Sequence, residues 1–124
     1  MSSITYGPYS PIRSAGTTFY TSGQIGVHPE TAKAPADIAG QTERALLNLE
    51  AVLAAEGLNL NDVIKTTVYL TNMGDFAAMN AVYQQRFDAP RPARTTVGVR
   101  ELPRVGGDVA LLVEIEAVAQ KAQG

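Results

Sequence analysis

The chain has no cysteine, no tryptophan and a single histidine, His28, among its 124 residues. Without thiols there is no disulfide, no thiolate nucleophile and no cysteine-based zinc site, and one imidazole cannot build a histidine-rich metal site. An excess of positive charge is missing too. Ten Lys and Arg against twelve Asp and Glu leave a net charge of −2, and no basic cluster stands out along the chain. A partner bound through its phosphates needs such a cluster, so nucleic acid is disfavoured. Apolar runs all fall far short of the roughly 18 to 20 residues that span a bilayer. The start, Met1-Ser2-Ser3-Ile4, lacks the basic residues and apolar run of a secretion signal, so the expected address is the cytoplasm and no membrane partner is expected.

The composition suffices for one folded core. Hydrophobic residues at 45% and charged residues at 18% exclude disorder, and the length suits a single domain over residues 1–124. Ile12 to Ala15 and Thr18 to Ser22 read as a hairpin turning at Gly16. A proline-bearing connection from Gly26 to Pro35 leads to a helix from Ala36 to about Glu56. On it Ile38, Ala45, Leu46, Leu49, Val52 and Leu53 fall within roughly 120° of a 3.6-residue wheel. The β-branched content of Val63 to Leu70 predicts a strand. Asn72 or Asp75 caps a second helix to Phe87 with a Phe76, Met79, Tyr83, Phe87 stripe. Arg94 to Val99 and Val109 to Ala119 read as further strands. The order ββ-α-β-α-ββ predicts an α+β fold, a sheet of five or six strands with both helices on one face.

The other face of that sheet carries large apolar residues as well. Alternation along the last strand places Leu112, Glu114, Glu116 and Val118 away from the helices, an arrangement that predicts a homo-oligomer. If Val97 and Val99 pack under the helices, Arg94 and Thr96 look the same way as Glu114. Such an arginine and glutamate on neighbouring strands are either a structural ion pair or two halves of a binding site.

Five segments carry a resemblance. Gly7-Pro8-Tyr9-Ser10, Thr21-Ser22-Gly23-Gln24, Met79-Asn80-Ala81-Val82-Tyr83, Pro92-Ala93-Arg94-Thr95-Thr96-Val97 and Val113-Glu114-Ile115-Glu116-Ala117 have the order and spacing of the RidA/YjgF family. The resemblance implies a chorismate-mutase-like α+β fold, a mixed sheet of about six strands, and a homotrimer whose sheets form a central barrel with sites between subunits. It implies hydrolysis of 2-imino acids and their enamine tautomers (2-aminoacrylate, 2-iminopropanoate, 2-iminobutanoate) to 2-keto acids and ammonia, with no metal and no organic cofactor. A non-catalytic trimer holding a small carboxylate is the alternative. The endoribonuclease activity ascribed to relatives finds no basic groove and no pair of histidines here.

The resemblance also assigns residues. Arg94 matches the arginine that binds the substrate carboxylate, for which a planar guanidinium offers two charge-assisted hydrogen bonds. Glu114 matches the glutamate that places water and shuttles protons, and Tyr9 the tyrosine that closes over the substrate. Ser22 and Gly23, at the end of the second strand, and Asn80, on the second helix, are expected to border the cleft. Thr96 stands where many members have cysteine, which leaves a hydroxyl and backbone groups there. The turn from Leu102 to Asp108 is longer than usual, which makes a bulge beside Glu114 conceivable. His28 and Glu116 receive no catalytic role.

Overall fold

The computed structural model describes residues 4–122. Its strands are β1 (Ile12–Ala15), β2 (Thr18–Thr21), β3 (Gln24–Ile25), β4 (Val63–Leu70), β5 (Ala93–Gly98) and β6 (Val113–Gln120), with helices α1 (Ile38–Ala54) and α2 (Phe76–Arg86). The sheet runs β1-β2-β6-β4-β5, with β3 also paired to β6. Only β4 and β5 are parallel, as a strand pair joined through a helix must be able to be. The fold is therefore α+β with a six-stranded mixed sheet, as expected.

Helix α1 starts at its cap: the Asp37 carboxylate accepts from the Gly40 N–H at 3.2 Å, satisfying an otherwise free backbone donor. The expected stripe is buried, Ala45, Leu46, Leu49, Val52 and Leu53 lying in the interior. Each leucine or valine there contributes about 1.5–3 kcal/mol by leaving water. The same core takes Met79, Tyr83 and Phe87 from α2 and Val68, Leu70, Val113, Ile115, Ala117 and Ala119 from the sheet, so both helices cover one face. Phe76 departs from the expected stripe and is exposed.

Two strand boundaries differ from expectation, and each has a local cause. The second strand is interrupted at Ser22-Gly23. Tyr20 pairs with Val118 whereas Gln24 pairs with Ile115, so one extra residue is accommodated between the two registers. The Thr21 hydroxyl accepts from the Ala117 N–H at 3.0 Å and replaces a ladder bond there. The last strand begins at Val113, four residues later than Val109. Fully buried Gln41 of α1 captures that stretch, donating to Pro35 O (2.9 Å) and Ala110 O (3.0 Å) and accepting from Leu112 N–H (2.7 Å). Leu112 therefore lies just before the strand, where its carbonyl still accepts from the Thr71 N–H of the chain leaving β4 at 3.2 Å.

Candidate functional site

Register decides which side chains can meet. Thr66 on β4 is opposite Arg94 on β5 and Ala117 on β6, so Arg94 shares the helix-covered face. Tyr69 on β4 is opposite Val97 on β5 and Glu114 on β6, so Glu114 shares the uncovered face. Strand β4 also lies between β5 and β6. The expectation that Arg94 and Thr96 look the same way as Glu114 from a neighbouring strand is thus overturned. It assumed that Val97 and Val99 pack under the helices, whereas on this edge strand Val97 is exposed and Arg94 occupies the inward position. An ion pair between Arg94 and Glu114 of the same chain is likewise ruled out. Among the described residues the salt bridges are those of Arg86 to Glu43 and to Glu50, which tie α2 to α1.

Glu114 lines a cleft of about 360 Å³ beside β3. Ser22, Gly23, Tyr9 and Tyr6 line it too, and Val27, Val52 and Val105 add apolar surface. Gly23 makes room for the acid, because a Cβ there would come within 2.6 Å of the Glu114 carboxyl carbon. Among the described residues no hydrogen bond reaches that carboxyl. Burial raises its pKa, and the neighbouring Glu116 charge raises it further. Glu116 accepts from the Tyr69 hydroxyl at 3.0 Å. Ser22 donates from its hydroxyl to Ser10 O at 2.6 Å, which fastens the segment bearing Tyr9 to the rim of the cleft. Tyr9 is 48% exposed, with its hydroxyl accepting from the Tyr6 N–H at 3.2 Å.

Arg94 belongs to a second, shallow hollow with Asn80, Tyr83, Gln84, Arg91 and Pro92. Its guanidinium lies 4.7 Å from the Tyr83 ring centroid and 5.6 Å from that of Phe76. The Asn80 Oδ1 is buried there with no hydrogen-bond partner among the described residues. Thr96, opposite Val68, is on the same face as Arg94 and half-buried. Of the residues anticipated from sequence, Glu114, Tyr9, Ser22 and Gly23 thus converge on one cleft, and Arg94 and Asn80 on another.

Two features escaped the sequence reading. Phe76 and Tyr83 had the spacing of a core stripe, and only the placement of β5 beside α2 shows that they face a cation. Asn48, unremarked in the sequence, donates to both Ile25 O (2.9 Å) and Val27 O (2.8 Å) and fixes β3 against α1 at the cleft. The longer turn before β6 brings no bulge to Glu114 in the β4–β6 ladder, where the register shift falls between Val63 and Lys65. His28 sits in its loop, its Nδ1 accepting from the Glu30 N–H at 3.2 Å. Among the described residues no three His, Cys, Asp or Glu side chains cluster to hold a metal ion, and no helix is long and apolar enough to cross a membrane.

Residues 2–121 match the family model described as endoribonuclease L-PSP. A RutC family protein of Pyrococcus horikoshii is 48% identical over 116 residues, which cover 93% of this chain and 88% of that protein. The 2-iminobutanoate/2-iminopropanoate deaminase of Escherichia coli is 43% identical over 116 residues, covering 91% of this chain and 87% of the enzyme. The structure of Escherichia coli TdcF with bound serine superposes with a TM-score of 0.89 at 40% identity, over 98% of this chain and 94% of that one.

Proposed function

Because the chain belongs to the RidA/YjgF family, we propose that it hydrolyses small 2-imino acids and their enamine tautomers to 2-keto acids and ammonia. The substrates in this reading are 2-aminoacrylate, 2-iminopropanoate and 2-iminobutanoate. The observation that carries it is the Glu114 carboxyl, half-buried, free of hydrogen bonds among the described residues and raised in pKa in the lining of a cleft. A carboxyl so placed keeps its proton to higher pH than an exposed one and exchanges it with a bound substrate. The names and ligand of the relatives support the substrate class: one is a deaminase of two such imines, and another binds serine, a small carboxylate of the same carbon count as 2-iminopropanoate.

In this mechanism Arg94 grips the substrate carboxylate through two parallel N–H donors. Glu114 protonates the imine nitrogen, and its carboxylate then takes a proton from the water that attacks carbon, giving a carbinolamine. A second transfer through the same group protonates the amine and removes the hydroxyl proton as ammonia departs. One water is consumed and one ammonia released. Acid–base help of this kind is worth about 10²–10⁴ in rate, or roughly 3–5 kcal/mol. Tyr9 closes the cleft, Ser22 and Gly23 bound it, and Asn80 and Thr96 lie on the Arg94 side.

Since Arg94 and Glu114 lie on opposite faces of one sheet, the reading requires that they come from different copies of the chain in a homotrimer. Sedimentation as a monomer under assay conditions contradicts that requirement. The activity test generates 2-iminobutanoate with an amino-acid oxidase and times 2-ketobutanoate release. The wild type accelerates release, and Arg94→Ala and Glu114→Gln do not. Saturable carboxylate binding with no acceleration of any imine would establish the non-catalytic reading instead.

A further inference from the structure

The second half-site holds a detail that the reaction above does not account for. Phe76 and Tyr83 are seven residues apart on α2, about two helical turns, and so project from one face. Both rings lie within 6 Å of the Arg94 guanidinium, at 5.6 and 4.7 Å, the range in which a ring's negative face attracts a cation. Tyr83 is only 4% exposed, and its hydroxyl shares a 2.7 Å hydrogen bond with Thr66 Oγ1. Thr66 is itself buried and is the register partner of Arg94 across the β4–β5 ladder. The ring is therefore anchored to the same strand pair that carries the arginine.

Arginine has four side-chain torsions, and at a sheet edge it samples many rotamers. We infer that Tyr83, aided by Phe76, is a positioning residue that holds the Arg94 guanidinium ready to receive a carboxylate. This deepens the proposed function and rests on it. With the fork aligned beforehand, less side-chain freedom is lost when the anion arrives. The rings attract the cation through their π faces and accept none of its N–H donors in the plane of the fork, the direction from which a carboxylate binds. The hydroxyl does not take part, since it is bound to Thr66.

A purely structural role for Tyr83 predicts something different, and three measurements separate the two. The probe is 2-ketobutanoate, the product carboxylate, with its dissociation constant read by calorimetry and imine hydrolysis followed in parallel. Tyr83→Leu keeps apolar bulk and removes the ring face; a roughly tenfold weaker affinity is expected, with kcat within about threefold. Tyr83→Phe keeps the ring and forfeits the bond to Thr66. Here affinity should stay within about twofold of wild type even if the melting temperature falls. In an Arg94→Ala background, Tyr83→Leu should change affinity by less than twofold, because its partner is already gone. Should Tyr83→Leu not fold, exposed Phe76→Leu serves in its place, with about a threefold loss that vanishes in the Arg94→Ala background.

Equal losses in the Phe and Leu variants, or an undiminished loss without Arg94, would overturn the inference while leaving the deaminase reading intact. Wild-type activity in Arg94→Ala alone would defeat that reading first, and this inference with it.

Discussion

The two faces of the sheet treat charge in opposite ways. On the uncovered face Glu114 has space kept for it by Gly23, no hydrogen bond among the described residues, and a second carboxylate for a neighbour. On the helix face the Arg94 guanidinium lies within 6 Å of two aromatic rings, at 5.6 and 4.7 Å. The first arrangement disfavours the ionised form of its group, and the second steadies a permanently charged one. Had the two been adjacent, the arginine would have lowered the glutamate's pKa and consumed the carboxylate as its own partner. Separation across the sheet keeps the two from pairing within one chain.

The largest expected effect tests that separation directly. Arg94→Ala and Glu114→Gln, prepared singly, should each lose about 10² or more in kcat/KM, the usual scale for a removed proton shuttle or charge clamp. Unfolded together and reassembled as mixed oligomers, the two inactive variants should recover part of the wild-type rate, because some interfaces then join an intact Arg94 to an intact Glu114. Recovery is impossible if both groups of a site come from one chain. Mixed oligomers verified by mass and still inactive would break the comparison at its centre.

A smaller effect sharpens the uncovered side alone. Gly23→Ala places a Cβ against the outer atoms of the Glu114 side chain, within 2.6 Å of the carboxyl carbon. A glutamate terminus can swing aside, so the fold should survive and the cost should appear in catalysis. We expect kcat to fall about tenfold, with 2-ketobutanoate affinity nearly unchanged because Arg94 is untouched. Gly26 offers the contrast: a Cβ there meets the α1 backbone, 2.7 Å from Gln41 Cα, where nothing can give way cheaply.

Local alternation made most of the elements legible. The apolar stripe of α1, the β-branched run of β4 and the hairpin at Gly16 all depend on neighbours within a few residues, and these appear in the structure. What local pattern does not hold is pairing order. Nothing within Arg94 to Val99 says that β4 intervenes between it and β6, and its alternation of Thr and Val suits either face of an edge strand. Residues 109–112 continue the apolar alternation of β6, yet Gln41, about seventy positions earlier, binds their backbone groups first. The site residues were readable one by one through their motifs. Their division between two faces came only with the register.

The smallest effect concerns stability and pH. Glu114 has its pKa raised in the folded protein, chiefly by burial and then by the Glu116 charge. The folded state thus binds this proton more tightly than the unfolded state. Its contribution is fully present below the unfolded value and is lost as pH rises through the raised folded pKa. Above that raised value the wild type carries an ionised, poorly solvated carboxylate, a burden that Glu114→Gln removes. The Gln variant should therefore melt higher than wild type once pH exceeds that raised value. The gap should close as pH falls below the ordinary glutamate range, where the wild-type carboxyl is neutral too. Arg94→Gln should show no such closing gap, since guanidinium stays charged throughout. A Glu114→Gln advantage that is constant across the titration would mean that the gain comes from contacts of the amide itself and not from relief of a penalised carboxylate.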